Sequence, residues 1–343
     1  MNIAMISSWH VHARGYANDF AAMPECQITA VWDENEEAGK AWAAELGCPF
    51  VADYRAILQD PAIDGIVMTA PTSMHGEMLL QAAVAGKHIF TEKVLAITTE
   101  EALAIAEAVK EAGVQFVISF PHKCRADLNF AKSMAASGEL GQITYARVRN
   151  VHNGSSANWL PDHFYDEEQC GGGAMMDLGA HPMYLLNWIL GQPKSVVSAF
   201  TKVTGRAVED NAVSVLEYEN GAIGVSETGF VAQDNPFTME ICGTKGTLLV
   251  RDGVSYASTE TDDKWVCVDT LPTAPASPQR QWVDAVTKGT PVTVGIDEAV
   301  ALTVVMEGAY RAYQTGSGIV FTAKRLAMGR SRSKSFSLKE SPP

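Results

Sequence analysis

Short apolar runs alternate with amphipathic stretches through the first 120 residues. Residues 3–6, 27–32, 65–68, 88–91 and 115–119 are compact apolar segments, several dense in β-branched side chains, and read as buried parallel strands. Residues 36–46, 74–85 and 99–112 carry apolar positions at helical spacing; the third opens at Thr98 or Thr99 with Glu101 and closes at Gly113. That order predicts a doubly wound parallel sheet. After Pro121 the period changes. A helix over 127–137 is followed mostly by alternating strands, among them 143–151, 213–218, 222–229 and 238–242, then by helices over 279–287 and 298–314 and a last short strand at 319–321. This half reads as an α+β domain built on a large, mostly antiparallel open sheet with helices on one face.

The pattern divides the chain into a Rossmann-like unit at 1–120, a second unit at 121–323, and a polar, basic, Ser-rich segment at 324–343 expected to be disordered. With 343 residues and 47% hydrophobic content there is enough chain for two packed cores. A net charge of −14 argues against a nucleic-acid partner, which clustered cations would have to hold. The six cysteines are scattered without a C-x-x-C pair and read as reduced thiols. Neither a signal core nor a membrane-length apolar span is present, so the cytoplasm is the expected compartment.

The turn after the first strand reads SSWHVH. A dinucleotide-binding unit usually carries G-x-G-x-x-G there, and this chain has Ser7, Trp9 and His12 at the glycine places. A helix N-terminus still offers free N–H groups and the positive end of its dipole to pyrophosphate, and Ser7 and Ser8 can donate hydroxyls. The indole of Trp9 would push a cofactor outward or lie over it as a wall. His10 and His12 complete the expected cofactor-facing turn.

Three stretches, TAPTSMHGEMLLQAAVAGKHIFTEKVLA (69–96), SGELGQITYARV (137–148) and GGGAMMDLGAHPMYLLNWILG (171–191), together with the late helix EAVALTVVMEGAYRAYQTG, resemble the Gfo/Idh/MocA family of glucose-fructose oxidoreductase, inositol dehydrogenase and relatives. The resemblance implies an N-terminal Rossmann domain, a C-terminal domain whose open sheet makes homodimer or homotetramer contacts, and redox chemistry on a sugar or polyol. It makes 1–120 the dinucleotide-binding unit and 121–323 the substrate-binding and oligomerisation unit, and it places Asp33 on the adenosine-ribose hydroxyls; with Glu34, Glu36 and Glu37 following, NAD is favoured over NADP. Ala70, Pro71 and Thr72 match the family's dinucleotide-lining A-T-P-N segment, and His75 its usual histidine. Glu92 and Lys93 stand at the family's E-K-P, with Val94 in place of a proline that often follows a cis bond; a trans bond would re-aim Lys93.

Asp177 and His181 match the family's D-x-G-x-H pair. Four residues apart, they are expected on one face of a helix beginning near Ala174. Imidazole suits proton transfer because its ordinary pKa of about 6.5 lies near neutral pH. Tyr184 departs from the acid many relatives carry. His122, His152, Trp159, His163 and Tyr165, with Lys93, Asp177 and His181, are the expected substrate contacts, a mixture suited to stacking on a sugar ring. A His152, His163 and His181 metal set has irregular spacing, and no metal is expected. Three function classes remain open: an NAD-dependent dehydrogenase of a sugar, glycoside or cyclitol secondary alcohol; a lyase or glycosidase that oxidises transiently and recycles its NAD; and a non-catalytic sugar or nucleotide sensor.

Overall fold

The computed structural model describes residues 1–234 and 237–321. The segment expected to be disordered, 324–343, lies outside them. The first half runs β1 (Asn2–Ile6), α1 (Ala13–Ala21), β2 (Gln27–Trp32), α2 (Glu36–Leu46), α3 (Tyr54–Gln59), β3 (Gly65–Met68), α4 (Thr72–Val84), β4 (His88–Thr91), α5 (Thr99–Ala112) and β5 (Phe116–Ile118). Its five strands pair in parallel in the order β2-β1-β3-β4-β5. Every residue of β3 is buried, as strands covered on both faces require. The order reverses between β1 and β3, so the ligand crevice of such a sheet lies at the carboxyl ends of those strands. There the chain delivers Ser7–His12, Ala70–Thr72 and Glu92–Lys93.

Local signals account for the helix ends. Thr98 caps α5 in a reciprocal box with Glu101, and Asn35 caps α2 by accepting from the Ala38 N–H. Helix α4 starts at Thr72, two residues before the expected Met74, because Pro71 occupies its N-cap and leads the chain directly into the first turn.

The second half continues with α6 (Ala126–Ser137), β6 (Ile143–Val151), α7 (Glu167–Cys170), α8 (Ala174–Asp177), α9 (Ala180–Leu190), β7 (Ser195–Thr201), β8 (Asn211–Glu217), β9 (Ile223–Gly229), β10 (Thr238–Gly243), β11 (Gly246–Val250), β12 (Val254–Ser258), β13 (Val266–Cys267), α10 (Pro278–Lys288), α11 (Ile296–Thr315) and β14 (Ile319–Val320). Its nine strands follow the order β13-β12-β11-β10-β6-β9-β8-β7-β14, with β6–β9 parallel and the other pairs antiparallel. Helices α6, α9 and α11 pack on it. Along β8 burial alternates: Ala212, Ser214 and Leu216 point inward, while Val213 and Val215 are exposed. No helix among the described residues is long and apolar enough to cross a membrane.

One apolar core runs through both halves. The link is α10, which returns to the first sheet: Trp282 is fully buried with its ring 5.4 Å from Phe20 and 5.9 Å from Phe90. Beyond it, Val294 accepts a hydrogen bond of 3.0 Å from the Ile118 N–H of β5.

Candidate active site

The glycine-free turn keeps a glycine's backbone. Ser7 has φ +71°, the left-handed region that the first fingerprint glycine serves, and it is fully buried. Its N–H donates to Trp32 O at 2.6 Å, and its carbonyl accepts from the Thr69 hydroxyl at 2.6 Å, so the strands on either side hold the conformation in place. Ser8 donates through N–H and hydroxyl to one oxygen of Asp33, at 2.8 and 2.6 Å, and the other oxygen takes the Asn35 N–H at 2.9 Å. Trp9 leans toward the second half: its indole N–H donates to Gln169 at 2.8 Å, and the ring stacks on Phe164 at 5.2 Å with His163 at 4.9 Å.

Behind the turn, Glu92 gathers donors. It faces the His12 Nδ1 at 2.6 Å, accepts from the Lys93 N–H at 2.8 Å and from the Tyr16 hydroxyl, and that hydroxyl lies 2.7 Å from Ser119 Oγ. His10 sits beside them, its Nδ1 accepting the His12 N–H at 3.2 Å. Burial pushes His10 down to about 4 despite Glu92, so it is neutral. Burial also lowers His12, but the Glu92 charge and hydrogen bond outweigh it and raise the imidazole above its ordinary value. His10, His12 and Glu92 are the one group of metal-capable side chains that converges among the described residues, within 4.8 Å. His152, His163 and His181 do not. The converging atoms are already satisfied by protons, so we read the group as a hydrogen-bonded cluster.

Lys93 follows β4, and the Lys93–Val94 peptide is cis. Its ammonium donates to Asp177 Oδ1 at 2.5 Å and to the Asp177 carbonyl at 2.9 Å, with Lys93 buried. Burial disfavours both charges, yet each partner outweighs that cost for the other: Lys93 is raised and Asp177 lowered. Asp177 ends α8, and α8 is anchored from below. The Glu209 carboxylate accepts the Gly173 and Met175 N–H groups at 2.9 and 3.0 Å and the Tyr310 hydroxyl at 2.7 Å. A Cβ on Gly172 would fall 2.0 Å from the Tyr310 hydroxyl, and one on Gly173 would fall 2.0 Å from the Glu209 carbonyl. The glycines are therefore required for close approach. The expected single helix is broken: Asp177 N–H bonds to Gly173 O, but Gly179 reaches back to Ala174 and His181 to Leu178, so α9 restarts at Ala180. Asp177 and His181 meet the same cleft from two helices and not from one helical face.

His181 is buried, with Nδ1 3.0 Å from the Tyr184 hydroxyl and its ring 4.7 Å from His122. Burial, with His122 and Lys93 nearby, holds its pKa well below the usual imidazole value, so the ring is neutral. Tyr184 also accepts the His122 N–H at 3.2 Å. A Tyr184 oxygen that takes Nδ1–H leaves the His181 Nε2 lone pair open to accept a proton.

Residues 2–120 match the family described as an oxidoreductase family with an NAD-binding Rossmann fold, and residues 128–249 match the GFO/IDH/MocA C-terminal domain. The chain belongs to the Gfo/Idh/MocA oxidoreductase family. It is 28% identical to scyllo-inositol 2-dehydrogenase (NAD(+)) of Bacillus subtilis over 70% of each chain, and 28% identical to levoglucosan dehydrogenase of Pseudarthrobacter phenanthrenivorans over 81% of each. Among solved structures it resembles GenD2 from gentamicin A biosynthesis in complex with NAD, at 25% identity and TM-score 0.80 over 94% of this chain and 96% of that one. It shares its fold with levoglucosan dehydrogenase in complex with NADH at TM-score 0.82 and 22% identity, over 93% and 98%. This family member is thus an NAD-binding oxidoreductase.

Its own residues fit the dinucleotide. The left-handed turn at Ser7 survives, the indole of Trp9 is drawn off toward Gln169, and the three donors on Asp33 leave about one of a carboxylate's four lone-pair sites for a ribose hydroxyl. The cations beside α2 are taken: Lys40 pairs with Glu36 and Arg14 with Glu45. Other expected positions part company. His75 is buried with its ring nitrogens at the Val94 and Ala70 carbonyls, 2.9 and 3.1 Å away, so it ties two strand-end loops together. Tyr165 is buried and bonds Ser155 at 2.8 Å in a satellite apolar cluster with Arg206 over its ring. His163 packs on Trp9, and Trp159 is exposed with its indole bonded to Asn153 at 2.9 Å. His152 stacks on Phe230, within the electrostatic reach of Asp177 and Lys93. His122 reaches His181, whereas its neighbour Lys123 turns to the Thr293 carbonyl. Tyr16 and Glu209 were not read from sequence. Tyr16, one helical turn after His12, carried a usable spacing signal; Glu209, in an irregular loop, carried none.

Proposed function

We propose that this enzyme oxidises a secondary alcohol of an uncharged sugar, glycoside or cyclitol in an NAD-dependent, reversible reaction. The observation that carries the reading is the pair of buried Lys93 with partly buried Asp177, near a neutral His181 at the carboxyl edge of β4. Hydride acceptance from the carbinol carbon is the one chemical capacity that NAD supplies. Lys93 has three donors, and Asp177 occupies two; the third is free for the substrate oxygen and stabilises it as it becomes an alkoxide. Asp177 keeps that ammonium charged and aimed. His181 takes the hydroxyl proton at Nε2 and returns it in the reverse direction.

Pairing also selects the substrate. Around His181, the cations Lys93 and Arg125 are matched by Asp177 and Asp127, and His122 is held down to about 4 by burial and the Arg125 charge. A phosphate or carboxylate on the substrate would find these charges already neutralised, whereas hydroxyl groups would find His122, His152 and His181 as partners. The exposed valines of the second sheet, Val197, Val213 and Val215, with Ile223, are the face we assign to homodimer or homotetramer contacts. Sedimentation velocity of the full chain tests this, and a monomer at micromolar concentration would refute it.

The chemical test is stopped-flow hydride transfer on a panel of pyranosides, hexoses and inositols. His181→Ala is expected to lower turnover by roughly 100-fold while NAD affinity is unchanged. A variant that reduces NAD at the wild-type rate would move the proton acceptor elsewhere, with His152 next in reach. Net NADH accumulation separates the dehydrogenase from a lyase that recycles its cofactor.

A further inference from the structure

The turn between β1 and α1 has the shape of a pyrophosphate-binding turn without its glycines, and His12 stands at its far end as the N-cap of α1. The His12 side chain is 47% exposed, although its Nδ1 is fixed 2.6 Å from the buried Glu92. Its Nε2 has no hydrogen-bond partner among the described residues. Glu92 is itself immobilised by the Tyr16 hydroxyl and the Lys93 N–H. The arrangement sets one imidazole nitrogen on a buried carboxylate and leaves the other without a partner at the N-cap of α1, where the positive end of the helix dipole favours anions.

We propose that His12, held by Glu92, is a cationic clamp on the dinucleotide pyrophosphate, giving in charge what the absent glycines would give in backbone approach. A fingerprint glycine lets main-chain N–H groups close on phosphate. Here the Trp9, His12 and Ala13 N–H groups are already bonded to Ser7 Oγ, His10 Nδ1 and His10 O, so that approach is closed, and a charge-assisted hydrogen bond from Nε2–H compensates. The clamp rests on the dinucleotide reading and is independent of the sugar chemistry, so its test uses no substrate.

A clamp of this kind responds to pH. The groups facing His12 are Glu92 after β4, His10 at 4.7 Å between ring centroids, Tyr16 at 5.9 Å on α1, and, through the field, Lys93 and Asp177. His10 is neutral, with a value of about 4. Tyr16 and Lys93 are raised and Asp177 is lowered, so none of these changes charge near neutrality. His12 is raised from 6.5, so its positive charge is present below that raised value and is lost as pH climbs through it. Dinucleotide affinity should therefore fall with rising pH.

The experiment is calorimetric titration of the full chain with ADP-ribose, which carries the pyrophosphate, and with adenosine, which does not, from about pH 6 to about pH 9. Wild-type affinity for ADP-ribose is expected to fall about ten-fold across that range, while adenosine binding stays level. His12→Asn should bind ADP-ribose about ten-fold more weakly at the acid end, with no pH slope, and His12→Arg should bind tightly throughout. Asp33→Ala should weaken both ligands and keep the ADP-ribose slope, which separates the ribose contact from the clamp. Because His12 is half exposed, these variants fold even where Glu92→Gln does not. A flat wild-type profile, or His12→Asn matching wild type, overturns the proposal. So does a slope that disappears after dialysis against EDTA, which would assign the cluster to a divalent cation.

Discussion

Lys93→Met is expected to slow hydride transfer by about 100- to 1,000-fold, the size of effect seen when one preorganised donor to a developing oxyanion is removed. The loss falls on turnover. Lys93 bonds Asp177 and the Glu92 carboxylate, and among the described residues no hydrogen bond joins it to Ser7, Ser8 or Asp33. Dinucleotide affinity, followed by NADH fluorescence, should therefore change little. The variant also strips Asp177 of its counter-charge, leaving a carboxylate beside His181 where there was a neutral pair. For that reason Lys93→Met and His181→Ala should be strongly non-additive, the double variant being little slower than the worse single one. A Lys93→Met enzyme within ten-fold of the wild-type single-turnover rate would remove Lys93 from the chemistry.

The second large effect is on stability. Trp282→Ala should cost about 3–5 kcal/mol, read from the shift of the urea transition, because it empties a fully buried site lined by Phe20 and Phe90 from the first sheet. Trp282→Phe should cost much less. The indole N–H has no partner, so only volume is lost and no hydrogen bond is broken. Equal losses for the two variants would show that the N–H matters and that packing is not the dominant contribution.

Elements governed by local chemistry were legible in the sequence. Residues 27–32, 36–46, 99–112 and 143–151 read as the elements that form, because a buried run, an Asn or Thr cap and a closing glycine act within a few residues. What escaped reading was decided by distant chain. Helical spacing put Asp177 and His181 on one face, but the helix breaks at Leu178–Gly179, and the stretch before it is held by the packing of Gly172 and Gly173 against Tyr310 and Glu209 from elsewhere in the chain. Tyr165 had the composition of a sugar contact and is drawn into an apolar cluster with Phe164 and Phe230. His75 and His181 look alike along the sequence. Only the course of the backbone at Val94 and Ala70 makes the first a strut, and only the Tyr184 hydroxyl and the His122 ring, from elsewhere in the chain, fix the second through Nδ1 and its ring edge.

The return of α10 and Val294 to the first sheet bears on how the protein is made. At ordinary synthesis speeds of roughly 5–20 residues per second, about 10 to 35 s separate the emergence of β5 from that of the strand-edge partner that closes it. During that interval Phe20, Phe90 and the Ile118 edge have no cover from their eventual partners. Emergence of Trp282 and Val294, not completion of β5, therefore sets the moment at which the nucleotide-binding half can close its apolar surface and its open sheet edge.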